Sequence, residues 1–73
     1  MLDRQLNAVL TVLNDFSDGA YKIIDADEII AKLSDSDRCT KVELSGIIRT
    51  LSDNDYIKVK YSTVDEYCLA TLA

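Results

Sequence analysis

Apolar residues recur at intervals of three and four through the first part of the chain. Leu6, Val9, Leu10, Leu13 and Phe16, with Leu2 just ahead of them, form one stripe. Arg4, Gln5, Asn7, Thr11 and Asn14 fall between them, and this period predicts a helix over residues 3–16. Ala8 and Val12 widen the stripe, which suits either a deeply buried helix or one shared with a partner. Ser17, Asp18 and Gly19 stop it, with Gly19 fit for the left-handed conformation of a C-terminal cap. The short β-branched run at 20–24 reads as an edge strand. Ile29, Ile30 and Leu33 predict a second helix over 26–33, followed by a turn at 34–38. Leu44, Ile47, Ile48 and Leu51 predict a third over 41–52. The pattern then changes from helical to alternating. From Tyr56 to Tyr61 every second residue is apolar, placing Ile57, Val59 and Tyr61 on one face. A turn at 62–65 and a strand at 66–72 complete an antiparallel hairpin.

Two helix starts carry the same signature. Asp25-Ala26-Asp27-Glu28 and Thr40-Lys41-Val42-Glu43 each set an oxygen acceptor three residues before a Glu. Both spacings predict a capping box, and Ile24 with Ile29 and Cys39 with Leu44 predict hydrophobic staples. Ser-Asp pairs at 17–18, 34–35, 36–37 and 52–53 fall where helices should end, because both side chains compete for backbone hydrogen bonds.

Helix, short strand, two helices and a hairpin is the order of an α+β winged helix-turn-helix, three helices packed on a small antiparallel hairpin with a short edge strand. The third helix ending at Leu51, the Asp53-Asn54-Asp55-Tyr56-Ile57 entry and the run Tyr67-Cys68-Leu69-Ala70-Thr71 carry a closer likeness. From Thr40 onward the chain is similar to small bacterial winged-helix regulators of the MarR-like and PadR-like kind. Those families usually enter the wing with Leu-x-x-x-Gly-hydrophobic-Ile and close with Tyr-x-Leu-Thr-x-x-Gly. Here Asp55 stands where Gly is common and Ala70 where Thr is common, and the sequence stops at Ala73 before any following Gly. The resemblance implies a transcription-regulator-like domain, and a chain that is one module of something longer.

Seventy-three residues make a single domain, taken as 1–73, with a core that must be economical or shared. No apolar run approaches the roughly 20 residues that span a bilayer, and no signal-peptide pattern opens the chain. A cytoplasmic location without a membrane partner is the expectation. Cys39 and Cys68 read as reduced thiols serving as small hydrophobes. With no His, neither a zinc site nor a histidine base is expected within one chain, and no phosphate-binding glycine loop exists. The acidic runs lack the Gly and Glu of a calcium loop. An enzyme and a cofactor are therefore not expected.

Charge is unevenly divided. Residues 1–37 hold eight acidic and three basic side chains, and residues 38–73 hold five of each, which together give the net −5. The second-half cations are Arg38, Lys41, Arg49, Lys58 and Lys60, on the third helix and the wing. The leading expectation, by fold analogy, is binding of double-stranded DNA. Lys41, Ser45 and Arg49 would reach base edges or phosphates, with Val42 near a thymine methyl. Arg38 and Thr40 would hold phosphate at the helix start, and Lys58 and Lys60 would contact a neighbouring backbone stretch. The alternative is a protein-interaction or self-assembly module without DNA binding, using the outer face of the third helix around Gly46. The acid excess of the first half would suit a basic protein. A homodimer is expected, because single winged helices of this size rarely bind DNA tightly alone. What separates the two is whether the five cations converge on one face.

Overall fold

The computed structural model describes residues 3–72, so Leu2 of the first stripe and the terminal Ala73 lie outside the described residues. Helix α1 spans Arg4–Phe16 and is capped by Asp3, whose carboxylate accepts the Leu6 amide at 2.9 Å. Val9, Val12 and Leu13 are buried, and Leu6, Ala8, Leu10 and Phe16 pack against the same core. The wide stripe of α1 thus faces the chain's own interior.

Strand β1, Lys22–Asp25, begins later than the apolar run that suggested it. Ala20 is held back in the preceding turn, where its carbonyl accepts the Ser17 hydroxyl at 2.7 Å. Gly19 occupies that turn with φ +83, in the left-handed region where a side chain would be strained. Helix α2, Ala26–Lys32, follows β1 directly.

The capping box expected at the start of α2 does not form, since the Asp25 side chain makes no cap hydrogen bond. Asp25 is the last residue of β1, in register with Glu66, and the Ala26 amide is taken by the Asp65 carbonyl at 2.8 Å. The hairpin turn satisfies the first helical amide, a donor the capping box does not reach. Asp27 and Glu28 remain in the first turn, where the helix dipole favours negative charge.

Helix α3, Lys41–Asp53, has the capping box its sequence predicts. The Thr40 hydroxyl accepts the Glu43 amide at 3.1 Å, and the Glu43 carboxylate accepts the Thr40 amide at 3.0 Å. These bonds, the one from the Thr40 backbone first, hold the Glu43 carboxyl below its ordinary value. A depressed carboxyl stabilises the fold above its unfolded pKa of about 4.3, and that contribution disappears as pH falls through the lower folded value. Glu43→Gln, which can still accept the amide, should therefore lose less stability than the parent between about pH 5 and pH 3. Thermal melts with equal slopes in that window would remove Glu43 from the acid response.

The far end of α3 closes with paired bonds. The Tyr56 amide reaches the Leu51 carbonyl at 3.0 Å and the Asp55 amide reaches the Ser52 carbonyl at 3.1 Å. That is a Schellman motif, which needs a left-handed residue at Asp55, and Asp55 has φ 64. An L-residue is strained there and glycine is not. Asp55→Gly should raise stability by about 0.5–1 kcal/mol in urea unfolding, and a loss would sink the strain argument.

Strands β2, Ile57–Ser62, and β3, Glu66–Thr71, form a hairpin, and β1 adds on the other side of β3. The order is β1-β3-β2, antiparallel throughout. The protein is therefore α+β, with three helices and a three-stranded antiparallel sheet. Ile24, Tyr67, Leu69 and Ile57 point from the sheet into the core shared with the helices.

One irregularity changes a face assignment. Val59 pairs with Leu69 and Tyr61 with Cys68, so Lys60 is an extra residue bulged out of β2. The bulge shifts the alternation by one. Ile57 and Val59 face the core as expected, but Tyr61 does not. It lies 41% exposed beside Cys68 on the outer face, away from the helices. Among the described residues no helix is long and apolar enough to cross a membrane.

Candidate functional site

The capping box fixes where α3 points its side chains. With Leu44, Ile47, Ile48 and Leu51 buried, the opposite side presents Val42, Gly46, Arg49 and Asp53. Val42 is 75% exposed. A Cβ added at Gly46 would meet nothing within 4 Å, so no contact among the described residues explains a mid-helix glycine.

The cations expected to share one surface are dispersed. Lys41 lies between two carboxylates, with its ammonium 3.0 Å from Asp65 and 3.5 Å from Asp27. The Asp65 hydrogen bond, with the charge of Asp27, raises the Lys41 pKa and keeps the cation engaged within the chain. Arg38 pairs with Asp35 at 3.3 Å and reaches the Leu33 carbonyl at the end of α2 at 3.4 Å. Thr40 is occupied as the α3 cap. Lys58 neighbours two core-facing residues and pairs with Ala70, which puts it on the outer face of the sheet. Lys60 lies there too, its ammonium 5.7 Å from the Tyr21 ring centroid. The helix α3 packs on the other face, through Val59. The hairpin tip, Thr63 to Asp65, carries an acid and no cation.

Arg49, like Lys58 and Lys60, forms no ion pair among the described residues, not even with Asp53 one turn on. It lines a cleft of about 390 Å³ between α3 and β2, together with Ser45, Ile48, Ser52, Asp53, Val59 and Ser62. Three hydroxyls, one guanidinium and one carboxylate can hydrogen-bond a polar group there. The chain has no histidine to turn one of those hydroxyls into a nucleophile. Behind Ser45, the hydroxyl of the fully buried Tyr67 has no hydrogen-bond partner among the described residues. Burial pushes that phenol up, and the nearby Ser45 hydroxyl opposes the shift without reaching bonding geometry.

The outer face of the sheet is the surface that sequence periodicity missed. Ile23, Cys68 and Tyr61 lie side by side in register across all three strands. Ile23 is 64% exposed, and Tyr21 is also exposed at the end where Lys60 crosses to its ring. The Tyr61 hydroxyl donates to Glu66 at 3.0 Å, which with partial burial raises its pKa. The missing signal was the bulge: strict alternation assigns Tyr61 to the core. Cys39 and Cys68 are both free and buried, and burial with the nearby Glu43 raises the Cys39 thiol pKa. Neither a family model nor a curated protein matches this sequence.

Proposed function

We propose that the chain is a non-enzymatic domain of winged-helix type that works by binding protein rather than DNA. The observation that carries this reading is the pair of exposed apolar side chains Ile23 and Tyr61, which flank the buried Cys68 in one row across the outer face of the sheet, with exposed Tyr21 on the same strand side as Ile23. Large apolar side chains gathered on one face mark an interaction site more often than scattered single side chains do. The charge arrangement supports the same reading. Duplex binding draws its affinity from cations that replace counterions along the phosphates. Lys41 and Arg38 are engaged by acids of the chain, and Lys58 and Lys60 lie on the far side of the sheet from α3.

A second reading keeps double-stranded DNA as the partner, because Arg49 and Val42 stand free on the outer side of α3. The two are separated by fluorescence anisotropy of a labelled random duplex titrated with the protein at low and moderate salt. The protein-binding reading expects no micromolar association even at low salt. Micromolar binding that weakens steeply with salt, and is abolished by Arg49→Glu at an unchanged melting temperature, would replace it with the DNA reading.

A further inference from the structure

The outer face of the sheet carries its apolar row between opposite charges. Two residues along the strands from Ile23–Cys68–Tyr61 in one direction lie Asp25 and Glu66, register partners of each other. Two residues in the other direction lie Ala70 and Lys58, also partners. Lys60 joins that end by reaching across to the ring of Tyr21. The face therefore runs from acidic through apolar to basic over about 13 Å, four steps of about 3.3 Å each.

We propose that this face docks a second copy of the same chain, about a two-fold axis lying along the row Ile23–Cys68–Tyr61. The proposal rests on the protein-binding reading and names its partner. A two-fold interface must be complementary to itself. Rotation about that axis reverses the strand direction of the second copy, so each row lands on the row equally far beyond the axis. Asp25 of one protomer comes over the Lys60 ammonium of the other, and Glu66 comes over Ala70, next to Lys58. The apolar row meets itself, Ile23 on Ile23 and Tyr61 on Tyr61. Facing sheets aligned in this way pack about 10 Å apart. A uniformly acidic partner would satisfy the lysines but repel Asp25 and Glu66, and a basic one would do the reverse. A second copy satisfies both ends. The face is only three strands wide, so the dimer is weak, with a dissociation constant on the order of 100 µM.

Sedimentation equilibrium on the 73-residue chain tests this between about 10 µM and about 1 mM. The mass should rise from 8.1 kDa toward twice that value. Ile23→Asp sets two carboxylates against each other on the axis and should weaken the dimer at least tenfold, with the dilute-solution melting temperature unchanged. Charge exchange adds a gain of function. A chain with Lys58→Glu and Lys60→Glu, and another with Asp25→Lys and Glu66→Lys, should each stay monomeric alone and dimerise when mixed. Should either exchanged chain fail to fold, amide spectra of the parent over the same concentrations decide, with shifts centred on Ile23, Cys68 and Tyr61. A monomer at about 1 mM, a dimer indifferent to Ile23→Asp, or shifts centred on α3 would each overturn the proposal. A monomer would leave the protein-binding reading standing, since the duplex titration decides that separately.

Discussion

Leu51→Ala should destabilise the protein by about 2–5 kcal/mol, the usual range for emptying a well-packed leucine site. Leu51 is fully buried in the last turn of α3, within the core that joins all three helices to the sheet. It has a second role. Its carbonyl receives the Tyr56 amide in the motif that turns the chain from α3 into β2. A cavity there removes packing at the point where the hairpin is aimed. Domains of this length have a total stability of roughly 4–11 kcal/mol, so the loss is a large fraction of the whole. Each kcal/mol shifts the midpoint by about 4–8 °C at this size, so melting should fall by about 8 °C or more. The control is Val42→Ala on the opposite, exposed side, expected to change stability by less than about 0.5 kcal/mol. Comparable losses at both positions would mean that α3 is rotated from the orientation described.

That orientation was legible from spacing alone. The three-and-four stripe of α3 names its buried residues, while that of α1 names the residues that meet the core but counts the buried Val12 only as a widening of it. The Thr40 box is legible for a similar reason, since it depends only on two side chains three residues apart. The same pattern at Asp25 makes no cap hydrogen bond, and there Asp25 closes β1 in the ladder with Glu66. The Asp65 carbonyl takes the neighbouring Ala26 amide, and no local pattern reports a partner 39 positions away. Register is non-local in the same sense. The bulge at Lys60 follows from how β2 pairs with β3, and it turns Tyr61 from an expected core residue into an exposed side chain on the outer face.

The candidate site was less legible than the fold. Arg38, Lys41, Arg49, Lys58 and Lys60 are clustered in the sequence, which suggested one basic surface. Clustering says nothing about partners. Lys41 meets Asp65 from the hairpin turn and Asp27 from α2, two elements that only the tertiary fold brings beside it. The wing lysines go to the far face because their parity in β2 opposes that of Ile57 and Val59. Charge counted along a chain therefore overstates the potential at any one face, and the apolar row, whose ends Ile23 and Tyr61 lie 38 positions apart, has no local signature at all.

A polar clasp at the end of α1 should be the second most sensitive point of the molecule. Ser17 is almost fully buried although it was read only as a helix stop. Its hydroxyl donates to the Ala20 carbonyl at 2.7 Å and accepts the Thr71 amide at 3.2 Å. The Thr71 hydroxyl donates back to the Ser17 carbonyl at 2.9 Å. Two bonds thus tie the helix end to the last residue of the central strand, and a third closes the turn at Ala20. Ser17→Ala keeps the bond from the Thr71 hydroxyl to the carbonyl of residue 17 but leaves the buried Thr71 amide and the Ala20 carbonyl without their partner. Unsatisfied groups of this kind cost about 1–3 kcal/mol, more than the bond itself contributes, because they were desolvated on folding and gain nothing in return. Chemical unfolding should show that loss, and hydrogen exchange at the Thr71 amide should accelerate beyond what the global change explains. Asp18→Ala, next along the chain and exposed, should do neither. If Ser17→Ala were neutral and Thr71 stayed protected, water must replace the hydroxyl, and the end of β3 would be held by its pairing with Ile57 in β2. The clasp matters for the outer face as well. Thr71 follows Ala70 directly, so loosening it would free the basic end of the row on which the proposed dimer depends.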